Sequence, residues 1–175
     1  MMDKTAELRR LVRDIPDFPK PGILFRDITP MLADKNAFRN AITAMIEPFK
    51  NERIDVVTAV EARGFIFGSA VAQAIGAGFV PIRKKGKLPW QTAQVSYDLE
   101  YGQDTVEVHR DAVHPGARIL MVDDLLATGG TMAAACKLME SLGADIAGLS
   151  FLIELTGLAG REKLKSHHIH SVIKY

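Results

Sequence analysis

Between residues 54 and 155 the chain alternates short apolar runs with longer amphipathic stretches. The apolar runs fall at 54–60, 77–82, 118–122 and 145–154. They are rich in β-branched residues and lack polar alternation, which suits parallel strands buried on both faces. Three helices are predicted around and between them. Residues 36–49 place Phe38, Ile42, Met45, Ile46 and Phe49 on one face. Residues 65–75 are apolar almost throughout, and 132–142 form an alanine-rich segment ending near Gly143. Gly64 and Gly68 are four apart, a spacing also used by membrane helices, but the length and Ser69 and Gln73 favour a core helix. Residues 3–15 repeat apolar positions at Leu8, Leu11, Val12 and Ile15, one helical face that Asp3 or Thr5 can cap. It suits a packing helix or a dimer seam. Strands alternating with helices predict an α/β fold, a doubly wound and mostly parallel sheet.

Two stretches break this rhythm. Residues 16–30 hold four prolines and one glycine, which forbid a regular helix. Yet Ile23, Leu24, Phe25 and Ile28 are too apolar for a solvated loop, so the segment is expected to cover something. Phe25 suits stacking on a flat heterocycle. The second stretch opens with Arg83-Lys84-Lys85-Gly86-Lys87 and continues as a polar excursion to Gly102. Within it, 93–97 and 105–109 read as a hairpin around Glu100-Tyr101-Gly102. A basic, polar insertion between core strands fits a lid, about 84–104, closing over an anion.

Composition narrows the function classes. At 175 residues the chain is long enough for one full domain, 1–175. A net charge of +1 gives no reason to expect nucleic acid or a membrane surface. No apolar run reaches transmembrane length, and Met-Met-Asp-Lys opens without a signal core. The single cysteine, Cys136, fits a reducing compartment and core packing. The expectation is a cytoplasmic protein.

Chemistry concentrates in 118–136. An apolar strand leads into Asp123 and Asp124, then Leu125-Leu126-Ala127 and Thr128-Gly129-Gly130-Thr131, then a helix. Glycines leave backbone N–H groups uncovered, and the helix adds unpaired donors and a positive dipole end; together these hold a phosphate. Thr128 and Thr131 supply hydroxyls. The acids repel that phosphate and suit hydroxyls or a metal-bound group, so a ribose 5-phosphate fits the whole string. On these residues alone an ordinary turn with solvated aspartates stays open. The string is neither a Walker A loop nor a dinucleotide Gly-x-Gly-x-x-Gly turn. Glu61-Ala62-Arg63-Gly64 ends another strand, where open α/β sheets bind ligands; Arg63 there suits an anion.

The run from Val122 to Thr131 resembles the phosphoribosyl-pyrophosphate signature of the type I phosphoribosyltransferases. Phe-Pro-Lys-Pro-Gly-Ile-Leu-Phe-Arg-Asp-Ile-Thr-Pro resembles the hood of their adenine-using branch, as do Arg-Lys-x-Gly-Lys-Leu-Pro and Ser-Tyr-x-Leu-Glu-Tyr-Gly its catalytic loop. The resemblance covers roughly residues 10–165. It implies a pentosyl-group transferase of purine salvage, turning adenine and 5-phosphoribosyl-1-pyrophosphate into AMP and pyrophosphate with Mg²⁺ carried by the sugar donor. It also implies a homodimer. By the same resemblance, 127–131 hold the 5-phosphate, Asp123 and Asp124 the ribose hydroxyls, and Arg63 and Lys87 the pyrophosphate. Arg83, Lys84 and Tyr101 join the substrate contacts. Leu24, Phe25 and Arg26 meet the base, with Leu155 on its other face, and Glu100 handles the proton of its nitrogens. Relatives acting on 6-oxopurines usually carry aspartate where this chain has Ala127, which argues for adenine. Trp90 departs from the small or polar residues common there.

Other readings remain at this point: a transferase for another base such as xanthine, or a non-catalytic regulator sensing the sugar donor. His109 and His114 lack metal-ligand spacing, and His167, His168 and His170 alternate as in an edge strand.

Overall fold

The computed structural model describes residues 4–98 and 102–175. Its contacts divide the chain into two compact units, with the break between Ala44 and Met45.

In the N-terminal unit, helix α1 spans Lys4–Arg10. It stops five residues short of the expected end, because Ile15 belongs to a strand. β1 (Arg13–Pro16) pairs antiparallel with β2 (Leu24–Asp27), Arg13 opposite Asp27 and Ile15 opposite Phe25. The proline-rich segment is therefore a two-stranded ribbon rather than irregular chain. Each proline sits where no ladder N–H is required: Pro16 closes β1, while Pro19 and Pro21 lie in the connecting turn. That turn is tied by the N–H of Gly22 donating to Asp17 Oδ1 at 2.7 Å. The ring of Phe18 meets Phe25 edge-on at 5.1 Å between centroids. A short helix, α2 (Thr29–Ala33), follows with Pro30 in its first turn. Asp34 then begins α3 (Lys35–Ile46), its Oδ1 accepting from Asn36 and Ala37 at 2.8 and 3.0 Å.

The C-terminal unit is built on a seven-stranded sheet in the order β5-β6-β4-β3-β7-β8-β9. Its strands are β3 (Val56–Val60), β4 (Gly78–Lys84), β5 (Thr92–Asp98), β6 (Gln103–His109), β7 (Arg118–Leu126), β8 (Asp145–Glu154) and β9 (Ile169–Lys174). From β4 to β9 all neighbours are parallel; β6 and β5 extend that edge antiparallel. The mostly parallel sheet read from the apolar runs is thus present. The excursion after β4 is built into it, since β6 pairs with β4 at Arg83–Glu107 and Lys84–Val106.

Helix α4 (Gly64–Ile75) packs on β3 and β7, and α5 (Gly130–Ser141) on β5, β6 and β8. Successive strand residues face opposite ways. Val60, Ile119 and Met121 join the cluster around Met132, Ala135, Cys136 and Met139 of α5. Ala59 faces α4 so closely that a Cβ on Gly68 would lie 2.6 Å from its methyl. The two helices therefore cover opposite faces, and the glycines four apart serve sheet packing.

β7 differs from expectation in length. It runs four residues past Val122, carrying both acids within the strand. β3 pairs with it only as far as Ala59–Val122, then turns away into α4, while β8 continues to pair through Leu126–Glu154. The acids thus lie where β7 keeps one neighbour and has lost the other. After β8 come two 3₁₀ turns, Thr156–Leu158 and Gly160–Leu164.

Phe151, fully buried in β8, fills the layer between sheet and α5. Phe151→Ala is expected to cost about 3–5 kcal/mol, the usual cost of an emptied aromatic site, read from urea unfolding.

Candidate active site

At the carboxyl ends of β3, β4 and β7 lies a cleft of about 290 Å³. Val60 to Arg63 form one wall, Lys84 contributes from β4, and the continuous run Asp123–Met132 forms the rest. All of it lies within the C-terminal unit.

Asp123 and Asp124 set its electrostatics. Asp124 is 5% exposed, and its N–H donates to Asp123 Oδ1 at 2.9 Å. Arg63 Nη2 approaches Asp124 Oδ2 to 2.7 Å. The geometry is that of an ion pair, and Oδ2 accepts no directed hydrogen bond. Burial pushes the Asp123 carboxyl well above its ordinary range, and the neighbouring Asp124 charge adds to this. Asp124 is also raised by burial, with Arg63 pulling the other way. Gly64 makes the arrangement possible, since a Cβ there would stand 2.8 Å from Asp123 Oδ1. This first residue of α4 has to be bare for the acid to pack against the helix.

The turn after β7 is shaped by a second backbone contact. Gly129 has a φ of 74°, and a Cβ there would run into the carbonyl oxygen of Gly160. A Cβ on Gly160 would run into the carbonyl of Ala127. Two bare backbones therefore lie against each other. Arg161 holds this contact by a two-point pair with Glu154, Nε to Oε1 at 2.9 Å and Nη2 to Oε2 at 2.7 Å. The first i−4 bond of α5 runs from Ala133 N to Gly129 O. The N–H groups before it have no partner inside the helix, and no side chain caps them. They line the cleft with Thr128 and Thr131, an anion cradle of backbone donors and hydroxyls.

The opposite wall is braced by carboxylates of a different kind. Glu61 accepts from Lys84 N at 2.5 Å and faces Arg83 Nη2 at 3.4 Å. Burial opposes its charge, but these donors outweigh burial and hold its carboxyl below the ordinary range. Glu107 is buried and accepts from the N–H groups of Lys87 and Leu88 at 2.9 and 3.0 Å, and from Gln94 Nε2 at 3.1 Å. It anchors the basic turn. Arg83 Nη1 adds a bond to Lys87 O at 3.3 Å.

A chain with this cleft has many relatives. Residues 29–173 match the model of the phosphoribosyl transferase domain. The chain belongs to the phosphoribosyl transferase family. It is 57% identical over 174 residues to the adenine phosphoribosyltransferase of Methylococcus capsulatus, spanning 99% of this chain and 100% of that one. The crystal structure of adenine phosphoribosyltransferase from Rhodothermus marinus superposes with a TM-score of 0.95 at 50% identity, covering 98% of each chain. The Saccharomyces cerevisiae enzyme, solved with an imino-altritol bisphosphate and adenine, gives 0.93 at 38% identity, over 98% of this chain and 99% of that one.

For a phosphoribosyl transferase, the residues singled out from sequence are unevenly gathered. Arg63, Lys84, Asp123, Asp124, Ala127, Thr128, Gly129, Gly130 and Thr131 line one cleft. Arg83 and Lys87 are not among its lining residues; Arg83 braces the turn and Lys87 is exposed on it. Leu155 sits beside the loop, its N–H donating to Leu126 O at 2.9 Å. Leu24, Phe25 and Arg26 belong to β2 of the N-terminal unit, where Arg26 pairs with Asp14. Glu100 and Tyr101 lie outside the described residues. Of the histidines, His168 stacks near Phe49 at 5.1 Å and His167 faces Glu140 at 3.7 Å. Among the described residues no three histidine, cysteine or acidic side chains gather as a metal cage.

Sequence reading missed Tyr97, Asp104 and Glu107. A signal was present: Ala93, Val95 and Tyr97 alternate on β5, opposite Val108, Val106 and Asp104 on β6. Each inward row thus ends in a polar group next to the cleft.

The raised carboxyl of Asp123 carries a stability consequence. An acid whose folded pKa lies above its unfolded value costs nothing at low pH, where both states hold the proton. The cost appears as pH rises above the unfolded pKa and is complete above the folded one. Asp123→Asn keeps the oxygen that accepts from Asp124 N and removes the charge. At pH 7 it is expected to raise the melting temperature of the ligand-free protein while weakening sugar-donor binding, checked by calorimetry of both.

Proposed function

We infer that this chain transfers the 5-phosphoribosyl group from 5-phosphoribosyl-1-pyrophosphate to adenine, giving AMP and pyrophosphate. The observation that carries this is the cleft in which half-buried Asp123 and buried Asp124, the latter paired with Arg63, lie beside the open first turn of α5. One end takes a phosphate, the middle takes a diol, and the far wall takes a second anion. The identity to the Methylococcus capsulatus protein supports adenine as the base.

The residues divide the work by chemistry. Backbone N–H groups and hydroxyls of Thr128, Gly129, Gly130 and Thr131 hold the 5-phosphate. Ala127 leaves room without adding an acid. Ionised Asp123 and Asp124 accept from the ribose hydroxyls. Arg63, with Arg83, Lys84 and Lys87, faces the pyrophosphate. The bond from the anomeric carbon to pyrophosphate breaks as a base nitrogen approaches, through an oxocarbenium-like state. Leu24, Phe25, Arg26 and Leu155 are the residues for the purine, Glu100 takes the proton shed by the ring, and Tyr101 joins the substrate contacts. Positioning and charge supply most of the acceleration.

A donor-borne Mg²⁺ would neutralise part of the pyrophosphate charge. The residues fit such a cation: Asp123 and Asp124 line the cleft, Asp124 Oδ2 is met by the Arg63 ion pair without a directed hydrogen bond, and Mg²⁺ is commonly held by substrate phosphates and one or two carboxylates. The proline-rich ribbon serves as hood over the base, the 84–104 segment as lid, and residues 1–175 as one transferase domain. The chain works as a homodimer, and in the cytoplasm, a compartment supported by its single cysteine, Cys136, buried and unpaired.

The test is turnover with a panel of bases. With donor and Mg²⁺, adenine is expected to release pyrophosphate at least tenfold faster than hypoxanthine, guanine or xanthine, on the order of the discrimination a polar site achieves. Equal or faster release with a 6-oxopurine overturns the choice of base. Glu100→Leu is expected to lower kcat about 10²-fold or more, the scale of a general acid–base group, with donor binding retained in calorimetry. Unchanged turnover removes Glu100 from the chemistry.

A further inference from the structure

One polar group links two walls of the cleft. The hydroxyl of Tyr97 accepts from Thr131 Oγ1 at 3.2 Å and from Lys84 Nζ at 3.0 Å, and donates to Asp104 Oδ2 at 3.1 Å. Lys84 Nζ also pairs directly with Asp104 and lies 5.6 Å from the centre of the Tyr97 ring. Tyr97 and Asp104 are cross-strand partners on β5 and β6, so their side chains share a face. A phenol has one proton to give and two lone pairs to receive. With the phenol proton on Asp104, all three are used and the remaining directions follow. Ionised Asp104 can only accept, and the Lys84 ammonium can only donate. The Thr131 hydroxyl must therefore give its proton to Tyr97, leaving only lone pairs for the cleft.

That orientation is wrong for a phosphate. An anion on the loop needs the Thr131 proton turned towards it, which withdraws one donor from Tyr97. The phenol then turns its own proton to Thr131 Oγ1 and ceases to donate to Asp104. Asp104 is left to Lys84 alone, and the ammonium shifts accordingly. We propose that the Tyr97 hydroxyl couples the phosphate loop to Lys84, so that Tyr97 and Asp104 are positioning residues for the sugar donor. This deepens the transferase reading and rests on it. No bond is made or broken in the exchange; each hydroxyl keeps its proton and changes only where it points.

The experiment is a double-mutant cycle on donor affinity, measured by titration calorimetry with 5-phosphoribosyl-1-pyrophosphate and Mg²⁺. Thr131→Val and Lys84→Met are made singly and together, first in the natural chain and then with Tyr97→Phe. In the natural chain the two losses are expected to be non-additive by about fivefold or more, the lower end of ordinary coupling between sites. With Tyr97→Phe they are expected to become additive. Tyr97→Phe alone is expected to raise the KM for the donor several-fold while leaving the KM for adenine within about twofold.

Additive losses in the natural chain overturn the proposal, as does coupling that survives Tyr97→Phe. A lowered melting temperature with unchanged donor KM assigns Tyr97 a packing role only and also overturns it. Should Tyr97→Phe fail to fold, Asp104→Asn takes its place, since it keeps the shape and removes the charge that fixes the directions. Failure of the parent reading looks different: the natural chain itself binds no donor, and both fall together. Donor binding and AMP formation with additive variants remove the coupling alone.

Discussion

Two adjacent carboxylates have been taken out of water at the end of a central strand, and much of the C-terminal unit follows from that. Side by side in one strand they point to opposite faces, yet each feels the other's charge. Burial alone would drive both towards the neutral form. Among the described residues Arg63 is the charge that lowers the Asp124 pKa, and it is paired there without a directed hydrogen bond. To bring Arg63 within reach, β3 has to end before β7 does and turn back at Glu61. To let Asp123 pack, the next helix has to begin with a residue that has no side chain. Strand length, turn position and Gly64 are thus consequences of one electrostatic demand.

The other buried or half-buried acids in this unit obey the opposite rule. Glu61, Glu107, Asp104 and Glu154 are each surrounded by donors, and each is held below the ordinary carboxylate range. Glu154 locks Gly160 against the 127–131 loop through Arg161. Glu107 folds the basic turn through two backbone N–H groups. Glu61 and Asp104 clamp β4 where it leaves the sheet. These acids brace the cleft, Glu61 from its own wall and the others from behind it. The direction of the shift separates scaffold from site: satisfied carboxylates build the walls, and under-satisfied ones face the cavity.

The same distinction explains what the sequence could reveal. Apolar runs of five to ten residues carry a strong signal, so β3, β4, β7, β8 and the helices between them were legible. The acidic pair and its Gly/Thr turn were legible because donors and acceptors of that type have few other uses together. The ribbon at Arg13–Pro16 and Leu24–Asp27 was not, since its prolines mask a strand pattern in which they occupy only ends and turns. The length of β7 was hidden because polar residues in a strand read as its end; only the neighbour β8 shows that pairing continues. Gly160 and Glu107 act through contacts 31 and 20 residues away in the chain, with Gly129 and Lys87, and no local spacing marks such pairs.

A site made this way suits a ligand that brings hydroxyls to the acids and anions to the loop and to Arg63. Asp124 Oδ2 is held by the Arg63 ion pair without a directed hydrogen bond, and Thr131 Oγ1 is hydrogen-bonded to Tyr97. A sugar phosphate would draw on both groups. Such an arrangement spends folding stability on binding, the usual reason that local rules fail at functional sites. It also makes binding selective in a physical sense. A bare phosphate answers the loop but leaves the acids unanswered, and a bare sugar does the reverse. Only a ligand carrying both, with a second anion for Arg63, satisfies all three walls together, and that requirement describes the donor rather than the base. Choice of base must therefore be made by groups other than the acids and the donors of the loop, which is why those identify the family while Ala127, the loop residue that adds no acid towards the base, bears on the branch.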